Sequence, residues 1–186
     1  VFASGANPIL NFSNAKSAYS TGLEGEFRKN LNPSNPNSFL GKTSLVFNGT
    51  YIFSRVKLDD AVAKDQSDDR PLQGQSPYIV NVALNYEDEK GFSANLIYNR
   101  FGNRIFSVGD VIFPTIYELS RDNFDLTVSK KFNKITCKIG IQDLLNAKYQ
   151  FYEDSNRDEK IDKSIDNPTS VFKRGTLFTL NLTYNL

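Results

Sequence analysis

The chain has 186 residues, 22 basic and 21 acidic side chains, a net charge of +1, one Cys (Cys137) and no His, Met or Trp. That inventory excludes a Ser-His-Asp triad, a Cys-His nucleophile pair, a His-ligated metal, a thiolate zinc site and an internal disulfide. Near-neutrality gives no electrostatic reason to expect nucleic acid as a partner.

Alternation with a period of two places one set of side chains against something oily and the other against something wet, and it recurs along the chain. The first predicted strand has Tyr19, Thr21, Leu23, Gly25 and Phe27 on one face, with Ser20, Gly22, Glu24, Glu26 and Arg28 on the other. A second spans residues 42–56, with Leu45, Phe47, Gly49, Tyr51 and Phe53 on its apolar parity and Val46 and Ile52 on the opposite one. Val80, Val82, Leu84 and Tyr86 form the third, and Phe92, Ala94, Leu96 and Tyr98 mark a fourth over residues 91–106. Phe124, Leu126 and Val128 make the fifth, and Ile135, Cys137, Ile139 and Ile141 the sixth. The last reads Phe178, Leu180, Leu182, Tyr184 and Leu186, separated by Thr179, Asn181, Thr183 and Asn185. No long helix is predicted.

Strand length separates two all-β readings. A soluble antiparallel sandwich also alternates, but its strands usually run roughly 5–6 residues. Residues 42–56 and 91–106 form candidates of 15 and 16 residues, whereas a tilted membrane strand needs about 9–11 to cross. Connections also alternate. Residues 87–91 and 133–134 are tight turns and residues 30–38 a moderate one, while 57–76, 107–123 and 143–170 are long. Short turns at one end and long loops at the other are the pattern of an outer-membrane β-barrel. No run of 18 apolar residues occurs, so no helix spans a membrane; a barrel crosses with strands of half-apolar composition, which accounts for 39% hydrophobic residues beside 15 Phe and 9 Tyr. Lys130 shares the lipid-facing parity, but it lies near the turn at Asn133, where its stem reaches the interface.

An open sheet edge cannot sit in hydrocarbon, because each unpaired backbone group costs several kcal/mol. Bacterial single-chain barrels have an even strand count, and seven is odd. The expectation is therefore about seven C-terminal strands of a larger transmembrane barrel, with earlier strands pairing to both edges. The start at Val1, with no initiator Met and no basic-then-apolar leader, fits a processed chain or a piece of a longer one. The alternative is an eighth strand within residues 1–16, closing a small barrel.

Several segments, taken in order, resemble the C-terminal barrel region of TonB-dependent outer-membrane receptors, especially those of the Bacteroidota. They are RPLQGQSPYIVN at 70–81, Tyr86, Gly91, YNRFG at 98–102, IYE at 116–118, Asp125 with Leu126, and GIQDLLNAKY at 140–149. The last is similar to the family's element before the final extracellular loop, with Asp143 and Leu145 in place of the usual Asn and Phe. The terminus YNL at 184–186 is similar to the assembly signal that closes on an aromatic residue, with Leu186 in the aromatic's place. The matches run from about residue 20 to the end. The resemblance implies a receptor in the outer membrane of a Gram-negative bacterium that binds a scarce nutrient and imports it actively. In that family a plug domain fills a barrel of ~22 strands, and a periplasmic contact with the TonB complex supplies energy. The implied partners are the rest of the barrel, the plug, the TonB energy-coupling complex, outer-membrane lipid and a small ligand of unknown identity. No cofactor, metal site or catalytic residue is assigned.

Glu24, Glu26, Arg28, Asp125, Lys131 and Lys138 share the polar parity, so they are expected to line a wet lumen and to hydrogen-bond a plug. The loop 154–162, with Asp154, Asn156, Asp158 and Asp162, spaces oxygen atoms like the first half of a calcium loop; Glu159 stands where such loops need Gly and Ile165 where they need a bidentate Glu. A solvated loop is the expectation there. The same holds for the acidic connection carrying Asp59, Asp60, Asp65, Asp68 and Asp69. Tyr149, Phe151 and Tyr152 are expected in an interfacial aromatic girdle, and Cys137 on the lipid-facing side as a small hydrophobe. The competing functions are a passive porin-type channel, a soluble β-rich binding module of a secreted protein, and an outer-membrane enzyme. No nucleophile-base constellation supports the enzyme.

Overall fold

The structure is a computed structural model that describes residues 15–59 and 69–185. The possible eighth strand in residues 1–16, Asp60, Asp65, Asp68 and Leu186 thus lie wholly or largely outside the described residues. Seven long strands form one antiparallel sheet: β1 (Ser17–Asn30), β2 (Thr43–Lys57), β4 (Tyr78–Glu87), β5 (Phe92–Phe101), β8 (Asp122–Phe132), β9 (Ile135–Gln142) and β12 (Leu177–Tyr184), neighbours in that order. The short β3 (Asp69–Arg70) adds to the end of β2. The architecture is all-β and antiparallel, and no helix occurs among the described residues. The sheet is open. β1 and β12 are its two edges, and seven strands fall short of the eight that close the smallest barrels.

Register carries the alternation across the whole sheet. Phe27, Phe47, Val82, Tyr98 and Phe124 stand directly opposite one another on five successive strands. Leu45, Leu84, Leu96, Leu126, Ile141 and Phe178 form the next apolar row. The other face carries Glu26, Asn48, Asn81, Asn99 and Asn123 in a row of its own. A one-residue slip would exchange these faces along an entire strand, so the pattern strongly specifies its register.

Nothing among the described residues covers the apolar face. Leu23 is 81% exposed and Leu180 67%. A soluble sandwich packs such a face against a second sheet about 10 Å away. Here the buried apolar residues, Val56, Leu58, Ile105, Tyr117 and Leu119, gather instead at the end of the sheet that carries the long connections.

Those connections build a second sheet that the periodicity does not predict. β6 (Arg104–Ser107), β7 (Ile116–Glu118), β10 (Tyr149–Glu153) and β11 (Asn167–Phe172) pair antiparallel in the order β11, β10, β7, β6. The predicted strand over residues 91–106 is therefore two strands in two sheets. The break falls at Gly102, whose N–H donates to the Tyr78 carbonyl at 2.9 Å. A Cβ there would lie 2.8–2.9 Å from Pro77 and the Tyr78 ring, so only Gly permits this close turn away from β4. Asn103 then accepts the Ser120 backbone N–H at 2.8 Å and ties the departing chain to the start of β8.

The second sheet and its flanking segments attach on the polar side of the first. Gln75 donates to the Ser20 hydroxyl at 3.3 Å, and the Leu72 N–H donates to the Ser54 hydroxyl at 3.1 Å. Phe101 faces the same side as Ile79 and Thr50, and both Arg104 and Arg121 lie over its ring, at 4.6 and 4.9 Å.

Candidate functional site

The polar face is organised as a chain of side-chain amides. Asn99 donates to the Asn81 carbonyl oxygen at 2.7 Å, Asn81 to Asn48 at 3.4 Å, and Asn48 to the Glu24 carboxylate at 3.0 Å. Asn123 turns to Asp125 at 3.2 Å, and Asp125 also accepts the Asp143 backbone N–H at 2.8 Å. Glu26 pairs with Arg28 at 2.6 Å. Lys131 stands opposite Thr136, and Lys138 opposite Ser129 and Asn181. The structure thus brings Glu24, Glu26, Arg28, Asp125, Lys131 and Lys138 to one hydrogen-bonding face.

The apolar face ends in polar and aromatic groups at both margins. At the tight-turn end, Phe39 stacks on Tyr86 with centroids 5.0 Å apart, Phe92 lies tilted against Tyr86 at 5.9 Å, and the Lys130 ammonium donates to the Lys90 carbonyl at 2.8 Å. This is the turnward reach expected of Lys130. At the other end Arg100 pairs with Asp122 at 2.6 Å, and the Tyr98 hydroxyl donates to the same carboxylate at 2.7 Å. Cys137 stands between Lys130 and Leu182 on this face, as its parity requires.

A charged cluster locks the two sheets together. Glu118, 6% exposed, accepts from Arg104 at 2.6 Å and from Arg121 at 2.7 Å. The Arg121 guanidinium lies 3.8 Å from the Tyr149 ring centroid, and Arg174 lies 4.5 Å from it. Tyr149 stacks on Phe172 at 5.3 Å, and Phe151 sits edge-on to Phe106 at 4.7 Å. Tyr149, Phe151 and Tyr152 therefore belong to β10 in the second sheet. They do not rim the apolar face, because the chain after β9 turns to the side on which Phe101 and Arg121 lie.

The loop after β10 is held by two buried carboxylates. Asp154 accepts the N–H groups of Asp158 and Glu159 at 3.1 and 2.9 Å, and Asp166 those of Ser155 and Asp162 at 2.9 and 2.7 Å. Arg157 and Glu159 adopt positive φ of 60° and 64°. Glu159 thus takes the left-handed backbone for which calcium loops use Gly, without the ligand set: among the described residues no group of acidic or sulfur side chains is placed to hold a metal ion. Asp69 of the other acidic connection pairs with Arg55 at 3.4 Å.

Between the two sheets lies a cleft of about 550 Å³, lined by Tyr51, Ser54, Gln75, Tyr78, Asn103, Tyr117, Ser120 and Glu159 among others. A smaller cavity of about 100 Å³ adjoins it and shares Ile105, Tyr117 and Glu159. Tyr117 is 7% exposed. Burial, reinforced by the carboxylates of Glu159 and Asp154, pushes the Tyr117 phenol up to about 12. Arg70 lines the smaller cavity. Its Nε is buried without a partner among the described residues, and burial pulls its guanidinium below the ordinary value. Sequence reasoning missed Tyr117, Glu118, Arg104 and Arg121. Tyr117 and Glu118 had one signal, the IYE segment of the resemblance, which marks positions but not contacts; Arg104 and Arg121 had none.

No protein-family model matches the chain, and no curated protein or solved structure matches it.

Proposed function

We propose that this chain is the C-terminal wall of a TonB-dependent receptor, an outer-membrane β-barrel that imports a scarce nutrient. One observation carries the reading. A seven-stranded sheet presents an uncovered apolar face on one side and an asparagine-lined polar face on the other. In water, that apolar face would be an aggregation surface; against acyl chains it is satisfied. From Tyr78 to Tyr86 the apolar row of β4 runs about 26 Å along the strand, close to the ~25 Å band of membrane barrels before tilt. Long connections gather at one end and tight turns at the other, as extracellular loops and periplasmic turns do. The open edges of β1 and β12 pair with the remaining strands, because unpaired backbone is costly in lipid. The polar face meets the plug and the wet lumen, and the TonB contact lies upstream. The chain itself supplies wall and loops and no catalysis.

Fractionation and the parent gene test the reading. The protein is expected in the outer-membrane fraction, extracted only by detergent, and the gene is expected to encode further alternating strands, a plug and a TonB-contacting segment before Val1. Further strands without a plug would establish the passive channel instead. A protein monomeric in buffer with a cooperative melt would establish the soluble module.

A further inference from the structure

We propose that the Lys130 ammonium, supported by the charge of Lys90, binds the phosphate of an anionic phospholipid whose acyl chains lie along the apolar face. The inference rests on the receptor reading in one respect, that this face meets lipid.

Lys130 is a cation built into an apolar row. Directly opposite it stand Phe92 on β5 and Cys137 on β9, with Leu182 beyond. Phe132, Ile135 and Tyr184 form one more row between it and the turn at Asn133, about 7 Å along the strand. The stem therefore crosses apolar surface, and the ammonium reaches the Lys90 carbonyl at 2.8 Å in the turn between β4 and β5.

That bond uses one of the three N–H donors of a lysine. Among the described residues no carboxylate forms an ion pair with Lys130 or Lys90. Asp88 lies near enough to sense the Lys130 charge, yet its carboxylate accepts the Phe92 N–H at 2.8 Å instead. Glu87 takes the polar parity, opposite Ser93. Arg100 has the apolar parity toward the opposite margin, and there Asp122 neutralises it at 2.6 Å. A cation beside hydrocarbon is costly unless an anion meets it. The fold supplies that anion to Arg100 and not to Lys130.

The surroundings select the anion. A phosphate held at the ammonium places the acyl chains of its lipid over Val128, Ile139 and Leu180, the next row inward, where Ile139 and Leu180 are exposed. Inorganic phosphate would answer the charge and leave that surface bare. Lys42, Lys90 and Lys134 stand at the same margin and outweigh Glu89, the remaining acid of the turn. A lipid with net negative charge is therefore preferred to one whose phosphate is balanced by its own amine.

The test uses the whole protein from its native membrane, in neutral detergent, titrated with phosphatidylglycerol or phosphatidylcholine and read by native mass spectrometry. Phosphatidylglycerol is expected to be retained in preference, and Lys130→Gln to weaken its retention about fivefold. Lys130→Arg should keep it. Lys131→Gln, the same loss of charge one residue on and facing the other side, should change nothing. Equal retention of the two lipids, equal effects at 130 and 131, or no effect at 130 overturns the proposal. Where Lys130→Gln does not fold, Lys90→Gln is read in its place, and undiminished retention there overturns it. An outer-membrane protein with no preference for the anionic lipid loses this site and keeps the receptor reading; a water-soluble protein that retains the lipid through Lys130 does the reverse.

Discussion

Asn99 on β5 donates its side-chain amide to Asn81 on β4 at 2.7 Å, and the same polarity continues through Asn48 to the Glu24 carboxylate. Asn81 and Asn48 each accept on the side-chain oxygen from one neighbour and donate the N–H to the other. Such chains polarise their members, and a break in the middle affects both sides.

Asn81→Ala is expected to cost about 1 kcal/mol, the net worth of a typical hydrogen bond. A double-mutant cycle of Asn81 and Asn99 should show coupling of ~0.5 kcal/mol or more, whereas Asn81 and Thr179, four strands apart, should be additive. Denaturation midpoints in one detergent measure both.

Adjacent residues on β8 separate the two faces. Leu126 belongs to the apolar row and Thr127 to the polar one. On the proposed membrane-barrel reading, Leu126→Arg is expected to destabilise the protein in a bilayer by about 2–4 kcal/mol, and Thr127→Arg by less than ~1. Folding into lipid vesicles across a urea series reads the difference. Equal penalties would mean that the apolar face meets protein rather than lipid.

Glu118→Gln leaves Arg104 and Arg121 facing each other without a carboxylate. A fully buried pair loses ~3–5 kcal/mol when one partner is removed; with the Arg104 side chain 35% exposed, about 2 kcal/mol is expected here. The loss should be local. Amide exchange in β6 and β7 is expected to accelerate while β4 and β5 stay protected. Adding Arg104→Gln should recover part of the loss, since it removes the surplus charge.

The Tyr117 phenol titrates at about 12 in the folded protein, against an ordinary value of 10. The folded state therefore holds this proton more tightly than the unfolded chain does. Its contribution is fully present below pH 10 and is lost as the pH rises from 10 toward 12. Tyr117→Phe should flatten that part of the alkaline stability curve, measured by thermal melts at constant ionic strength.

Alternation is a local property, and parity alone assigns each residue of a strand to a face. That is why the seven strands, their antiparallel order, the shared face of Glu24, Glu26, Arg28, Asp125, Lys131 and Lys138, and the reach of Lys130 are all legible in the residues themselves. The reading fails where local pattern stops governing. Past Tyr98 the apolar parity gives way to Arg100, Gly102 and Arg104, and the chain turns away at Gly102, because Pro77 and Tyr78 leave room only for a residue without Cβ. The second sheet is built from strands of three to six residues, too short to show a period. Its cohesion comes from residues far apart in the chain: Arg104 with Glu118, Arg121 with Tyr149, Tyr149 with Phe172. Tyr117 is an unremarkable tyrosine in the sequence. Only the approach of the two sheets buries its ring beside a cleft.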